Sequence, residues 1–196
     1  MPRKKSLKKS ATEFREKVVE LETFTDSSVL GLSDKEQSWC YDYAIIRLYR
    51  EFEQLMLFAL VCAINNDTKT ISDSTGVDFP KHLTDEVCEY LVLGGGYFDF
   101  KGRDGLIKEL KKYVPSNHYL VTIIKKQKYR DALEKLTALR NFAAHESIQS
   151  KRSALNAINQ KRVGSSGSWL KVQGRFTEIS DKLKDLGQEV HDAAPY

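Results

Sequence analysis

The stretch that decides the fold runs from Lys35 to Asn65, KEQSWCYDYAIIRLYREFEQLMLFALVCAIN. At about 100° per residue it is apolar nearly all round. One face carries Trp39, Tyr43, Ile46, Leu57, Leu60 and Ile64; the opposite face carries Leu48, Leu55 and Cys62. A helix apolar on both sides must be covered on both sides, so it belongs at the centre of a bundle. Ser33 or Asp34 can cap its start, and Asn65-Asn66-Asp67 ends it.

The flanking sequence supplies its partners. Upstream, Leu7, Ala11, Phe14, Val18 and Leu21 recur at spacings of four and three and predict an amphipathic helix. Downstream, a polar loop is expected to about His82. A short helix follows from Thr84 to Leu93, stopped by Gly94-Gly95-Gly96, and Asp104 can cap another that runs to Tyr113 before Pro115. The triple glycine is not a phosphate loop, since no strand precedes it and no Gly-Lys-Ser/Thr follows. A long fifth helix is predicted from Asn117 to Ser147, with Tyr129, Ala132, Leu133, Leu136, Leu139 and Ala143 on one stripe. A short helical stretch near Ser153 to Ile158, a flexible loop GSSGS at 164–168 and a terminal helix through Val172, Phe176, Ile179, Leu183, Leu186 and Val190 complete the chain. The expected fold is all-α: a helical bundle with an irregular helical insertion between its second and fifth helices. Residues 1–10 read as a basic tail and 11–192 as one domain.

Composition agrees. In 196 residues, 41% are hydrophobic and 30% charged, which fits a globular chain with a sizeable core. No apolar run approaches the roughly 18 to 20 residues of a membrane span. Three widely spaced cysteines, Cys40, Cys62 and Cys88, suit free thiols in a reducing cytoplasm. The net charge of +4 permits an anionic partner without demanding one. Cations cluster at Arg3 to Lys9, Lys108 to Lys112, Lys125 to Arg130 and Lys151 to Arg162. Such runs are commonly solvated helix faces; as phosphate contacts, the candidates are Lys125, Lys126, Lys128, Arg130, Lys151 and Arg152.

Most catalytic chemistries lack their residues. The four histidines, His82, His118, His145 and His191, have no second ligand at metal spacing, so no metal or cofactor is expected. The cysteines sit in apolar helical contexts, and no Gly-x-Ser-x-Gly element is present. What remains is Leu139-Arg140-Asn141-Phe142-Ala143-Ala144-His145-Glu146. Arg140 falls on the apolar stripe, and Asn141 lies one turn before His145, where its amide can orient the imidazole. By spacing alone, Arg140 can be a buried ion-pair member and His145 a cation at a helix end.

This string resembles the Arg-x4-6-His motif of the HEPN superfamily, and the likeness spans about residues 35 to 190. It includes Phe52-Glu53 in the central helix and Trp169-Leu170 before the last. The chain looks most similar to the RiboL-PSP branch, found among toxin–antitoxin and phage-defence genes. The resemblance implies a helical bundle, often a homodimer, with metal-independent endoribonuclease activity at Arg140 and His145 and with Asn141 as the polar residue after the arginine. In HEPN toxins silenced by adenylylation, a tyrosine sits two residues after the histidine; here that position is Ser147, so that control is not expected.

RNA carries its own nucleophile, the 2′-hydroxyl, so the enzyme has only to move protons and stabilise a phosphorane. Imidazole titrates near about pH 6.5 and can act as base or acid; guanidinium binds two non-bridging oxygens and stays charged. Arg140 and His145 project roughly 140° apart on one helix, which suggests a two-fold dimer supplying the pair across one cleft. Arg50 and Glu53 project onto the stripe of Ile46, Leu57 and Ile64. Glu53 is therefore expected to grip Arg140 in a two-pronged hydrogen bond, the alternative being an Arg50–Glu53 pair. A cognate antitoxin is a further possible partner. The competing functions are a non-catalytic nucleic-acid or protein binding module of the same shape and a purely structural helical adaptor.

Overall fold

The computed structural model describes residues 6–195, so the first five positions, Arg3 among them, and the last lie outside the described residues. Among the described residues the chain contains helix and turn and no strand. Its helices are α1 (Leu7–Ser28), α2 (Asp34–Asn66), α3 (Lys69–Thr75), α4 (Asp85–Leu93), α5 (Gly102–Tyr113), α6 (Tyr119–Lys125), α7 (Arg130–His145), α8 (Ile148–Ala157), α9 (Ser166–Leu170) and α10 (Arg175–Ala193), with a single 3-10 turn at Gln127–Tyr129.

α2 is the axis, with α1, α4, α7 and α9 packed on it. It starts at a reciprocal cap: the Ser33 hydroxyl accepts the Glu36 amide, and the Ser33 amide donates to the Glu36 carboxylate at 2.8 Å. From Ala59 to Asn65 every side chain is buried. The first turns differ from expectation. Trp39 and Tyr43 are 57% and 54% exposed, and Ser38, Ala44 and Ile45 face inward instead. Small Ser38 is what lets α9 come close, so the inner face there is the one with less bulk.

α1 buries all five residues of its stripe and lies along α2 and α10. Leu7 is 1% exposed, so the core starts inside the stretch that composition marks as a tail, and Ala194, at 3%, carries it past residue 192. The domain therefore spans at least Leu7 to Ala194. The loop expected to His82 contains α3, closed by Gly76 in the left-handed region (φ 70°). Asp104 lies within the first turn of α5 rather than capping it.

The long fifth helix is two helices. Continued past Ile124, its buried stripe would next place Gln127 or Lys128 in the core. The chain instead breaks at Lys126 (ψ 132°), and the 3-10 turn brings Tyr129 to 0% exposure. Arg103 of α5 closes the break by donating from Nε to the Ile124 carbonyl (2.9 Å) and from its terminal nitrogen to that of Lys125. These carbonyls have no partner within α6, and the guanidinium supplies one.

α8 begins five residues earlier than its apolar pattern suggests, because Ser147 and Ser150 cap each other. α10 begins after Gly174 (φ 84°), which leaves Val172 in the preceding turn. The largest departure is the GSSGS segment. It is not a flexible loop: Ser166 is fully buried, and α9 is wedged between α2 and α7. The Ser166 hydroxyl donates to the Leu139 carbonyl (2.7 Å), and the Gly167 amide donates to Asp42 (2.6 Å). No described helix is long and apolar enough to cross a membrane.

Candidate active site

Arg140, Asn141 and His145 all line one open cleft of about 770 Å³. Its floor is the C-terminal half of α7 (Thr137, Ala138), one wall is Asp99 to Gly102, and the other is α8 with Ser150, Ser153 and Asn156. The two helices meet at a very short connection. Glu146 takes a left-handed conformation (φ 47°) that stops α7 directly after His145, and Ser147 already caps α8. For a residue with a Cβ this conformation costs roughly 1–2 kcal/mol. It turns α8 back so that its side chains face those of α7. The 140° divergence of Arg140 and His145 therefore does not separate them: one chain presents both to one cleft, and a second copy is not needed to bring them together.

Arg140 is half-buried. Its guanidinium lies over the Tyr49 ring, 4.5 Å from the centroid, and donates to the Asn141 side-chain oxygen at 2.8 Å. Asn141 thus holds the arginine, not the histidine as the one-turn spacing suggested. A planar cation stacked on a phenol ring and tied by one hydrogen bond keeps its remaining donors for an anion. Two pieces of packing fix it. The Tyr49 ring stacks on Phe100 with centroids 5.5 Å apart, and Ser166 grips the carbonyl of Leu139, one residue before Arg140.

Glu53, one turn after Tyr49, is half-buried near the Tyr49 hydroxyl, which donates to the Phe100 carbonyl at 3.3 Å. Burial pushes its carboxyl above the usual range; the positive charge of Arg140 opposes this, and Asp99 adds to it. Among the described residues no ion pair within 4 Å joins Glu53 to Arg140 or to Arg50, so neither expected pairing forms. Arg50 is exposed, not on the core stripe. The carboxylate that α2 does bury is Glu51, 4% exposed and held by Lys17 (3.0 Å) and Arg47 (2.6 Å). The stripe was misplaced because α2 is apolar on so many sides that periodicity could not say which polar residue turned inward.

The Glu53 shift has a testable sign. A carboxyl raised by folding binds its proton more tightly in the native state, so stability falls as pH rises from the unfolded value through the raised one. Glu53→Gln should remove that fall. Urea unfolding should show it no less stable than the parent at pH 7, with a flatter profile above about pH 4.5. A several-kcal/mol loss at pH 7 would mean that Glu53 is a tightly held partner of Arg140 after all.

The cations proposed for phosphate scatter. Lys126 and Lys128 both pair with Glu189 of α10 (2.9 and 2.7 Å), and Arg130 pairs with Glu134 (2.9 Å). Lys125 is exposed at the end of α6. Lys151 lines a separate hollow of about 480 Å³ with Lys161 and Arg162, and Arg152 is exposed beside it on α8. The cleft itself carries Lys101 and Arg140 against Asp99 and Glu134, so its formal charges cancel with His145 neutral. Among the described residues no group of three or more His, Cys, Asp or Glu side chains is gathered as for a metal ion.

The site as built belongs to a class: an all-α domain whose central helix props an arginine beside a helix-terminal histidine. Comparison with family models, with curated proteins and with solved structures finds no match.

Proposed function

We propose that this chain is an endoribonuclease of the HEPN kind that cleaves RNA by attack of the 2′-hydroxyl, without a metal. The observation that carries the reading is that Arg140, Asn141 and His145 line one cleft, with the guanidinium held by Asn141 and the imidazole exposed at the end of α7. His145 takes the 2′-hydroxyl proton as the 2′-oxygen bonds phosphorus, Arg140 neutralises the phosphorane oxygens, and the P–O5′ bond breaks with the 5′-oxygen taking a proton from water. The neutral hydroxyls and amides of α8 offer partners to a ribose or base. A binding module of the same shape is the competing reading, and it predicts no turnover. The test is cleavage of single-stranded RNA in excess EDTA with analysis of the new ends. The expected result is undiminished cleavage leaving 2′,3′-cyclic phosphate and no cleavage of DNA; abolition by EDTA overturns the mechanism.

The biological setting that goes with this reading is a cytoplasmic toxin or phage-defence effector, with a cognate antitoxin as a possible partner. We further propose that the working form is a homodimer. Ile148, 75% exposed between the cleft-lining Ser147 and Gln149, is an apolar side chain that a second copy would cover. Light scattering should report twice the chain mass. A monomer fully active at nanomolar concentration would overturn it.

A further inference from the structure

The segment that walls the cleft opposite α8 carries an aromatic residue that the mechanism does not use. Between α4 and α5, Gly94 and Gly95 take left-handed conformations (φ 56° and 79°), and the chain then runs Gly96-Tyr97-Phe98-Asp99-Phe100-Lys101. Phe98 and Phe100 pack on each other, with centroids 5.8 Å apart, and Phe100 continues onto Tyr49 and Phe52. Phe98 and Phe100 thus anchor the segment to the core, while Tyr97 keeps almost no protein contact. Asp99, Phe100 and Lys101 all line the cleft. Tyr97 sits two residues before Asp99, about 7 Å further along.

Tyr97 is 97% exposed, more than any other large hydrophobic side chain described. Folding gains nothing from it, since its ring touches almost no protein. An unpartnered ring beside a cleft with no net formal charge can hold a single strand through the faces of its bases, which needs no charge.

We propose that Tyr97 is the stacking platform for an unpaired nucleobase flanking the scissile phosphate, and that the substrate is consequently a single-stranded or looped RNA. This rests on the ribonuclease reading. Tyr97 acts as a positioning residue: it holds the strand while Arg140 and His145 act on the phosphate one or two nucleotides away. The preceding glycines let the ring adjust to the base it meets. Base-paired RNA has no free base face to offer, so a duplex is bound and cut poorly.

The test measures binding of a fluorescein-labelled eight-nucleotide RNA by anisotropy in the non-cleaving His145→Ala background, with cleavage by the otherwise unaltered enzyme measured in parallel. Tyr97→Ala should weaken binding about five- to a hundred-fold, the usual worth of one stacked base. Tyr97→Trp and Tyr97→Phe should restore it. In cleavage, Tyr97→Ala should raise KM with little change in kcat and leave the unfolding midpoint unmoved, as no buried contact is lost. A scan of single abasic sites through the oligonucleotide should find one position that costs the parent the same factor and costs Tyr97→Ala nothing. The same sequence as DNA, bound but uncut, should lose affinity equally, because stacking ignores the sugar. If the parent cleaves RNA and Tyr97→Ala binds and cleaves it equally well, this inference fails and the ribonuclease reading stands. If the parent neither binds nor cleaves RNA, both fail.

Discussion

His145→Ala should lower the rate of RNA cleavage by about 10²–10⁴-fold, the usual worth of a general acid–base group, and leave the unfolding midpoint where it was. Both halves follow from position. The imidazole is exposed at the end of α7, so little packing is lost, while the cleft loses its imidazole proton carrier. Arg140→Ala should cost about 10²–10³-fold, as removal of one preorganised anion-stabilising donor does elsewhere. Arg140→Lys should recover little, because an ammonium cannot make the two-pronged contact or lie flat on Tyr49. Asn141→Ala should be milder, about tenfold. Since Asn141 bonds Arg140, its loss should leave the acid limb of the pH–rate profile in place, whereas a residue orienting His145 would shift it. Steady-state kinetics with a quenched fluorescent oligonucleotide measures all four. Activity retained by His145→Ala would end the mechanism.

The second large effect is on stability. Gly167→Ala should destabilise the fold by about 4 kcal/mol, above the usual range for overpacking, and lower the midpoint by roughly 8–16 °C in a calorimetric scan. A Cβ at Gly167 would lie 1.8 Å from the Ser38 carbonyl oxygen and 2.8 Å from the Asp42 amide nitrogen, both in the backbone of α2. Neither can swing aside as a side chain would. α9 must lift off α2, breaking the Gly167–Asp42 hydrogen bond and loosening Ser166 from Leu139. Cleavage should therefore fall as well, through Arg140, even at temperatures where the variant is folded. An unchanged midpoint would show that α9 is not seated as described.

The difference between α9 and the expected flexible loop shows what was legible. Helices with one strong apolar stripe could be read directly: every residue assigned to the stripe of α1 is buried, and Gly94 does stop α4. Where function of a residue depends on a distant partner, local sequence is silent. GSSGS looks like a linker because serine and glycine build one. Only the groove beside Ser38 and the second lone pair of the Leu139 carbonyl make the same residues a wedge. The one local hint was Ser165 and Ser168 three apart, ahead of Trp169, the spacing of a reciprocal cap. The site divided in the same way. The string picks out three residues that line one cleft, but Asn141 bonds the adjacent Arg140 and not His145 one turn on, which helical spacing alone favours. Nothing in the sequence marks Tyr49 as the ring beneath the guanidinium, because tyrosine in an apolar helix reads as core. Glu51 and Glu53, two residues apart on a helix apolar all round, could not be ranked for burial without knowing where α1 lies.

The pairing of Lys126 and Lys128 with Glu189 has a consequence for counterion release. Those ammonium groups already have a carboxylate, so an arriving strand gains little by displacing it. On the described residues, Lys151, Arg152, Lys161 and Arg162, on α8 and the turn beyond, have no carboxylate within 4 Å and remain open to phosphates. If the chain binds RNA as proposed, four such contacts on a single strand, at about 0.7 ion each, would make affinity fall with roughly the third power of salt concentration. Between 50 and 200 mM that is a loss of about fifty-fold. The slope would then belong to α8 and the turn beyond it, so charge removal there would flatten it, while charge removal at Lys126 or Lys128 would loosen α10 and leave the slope alone.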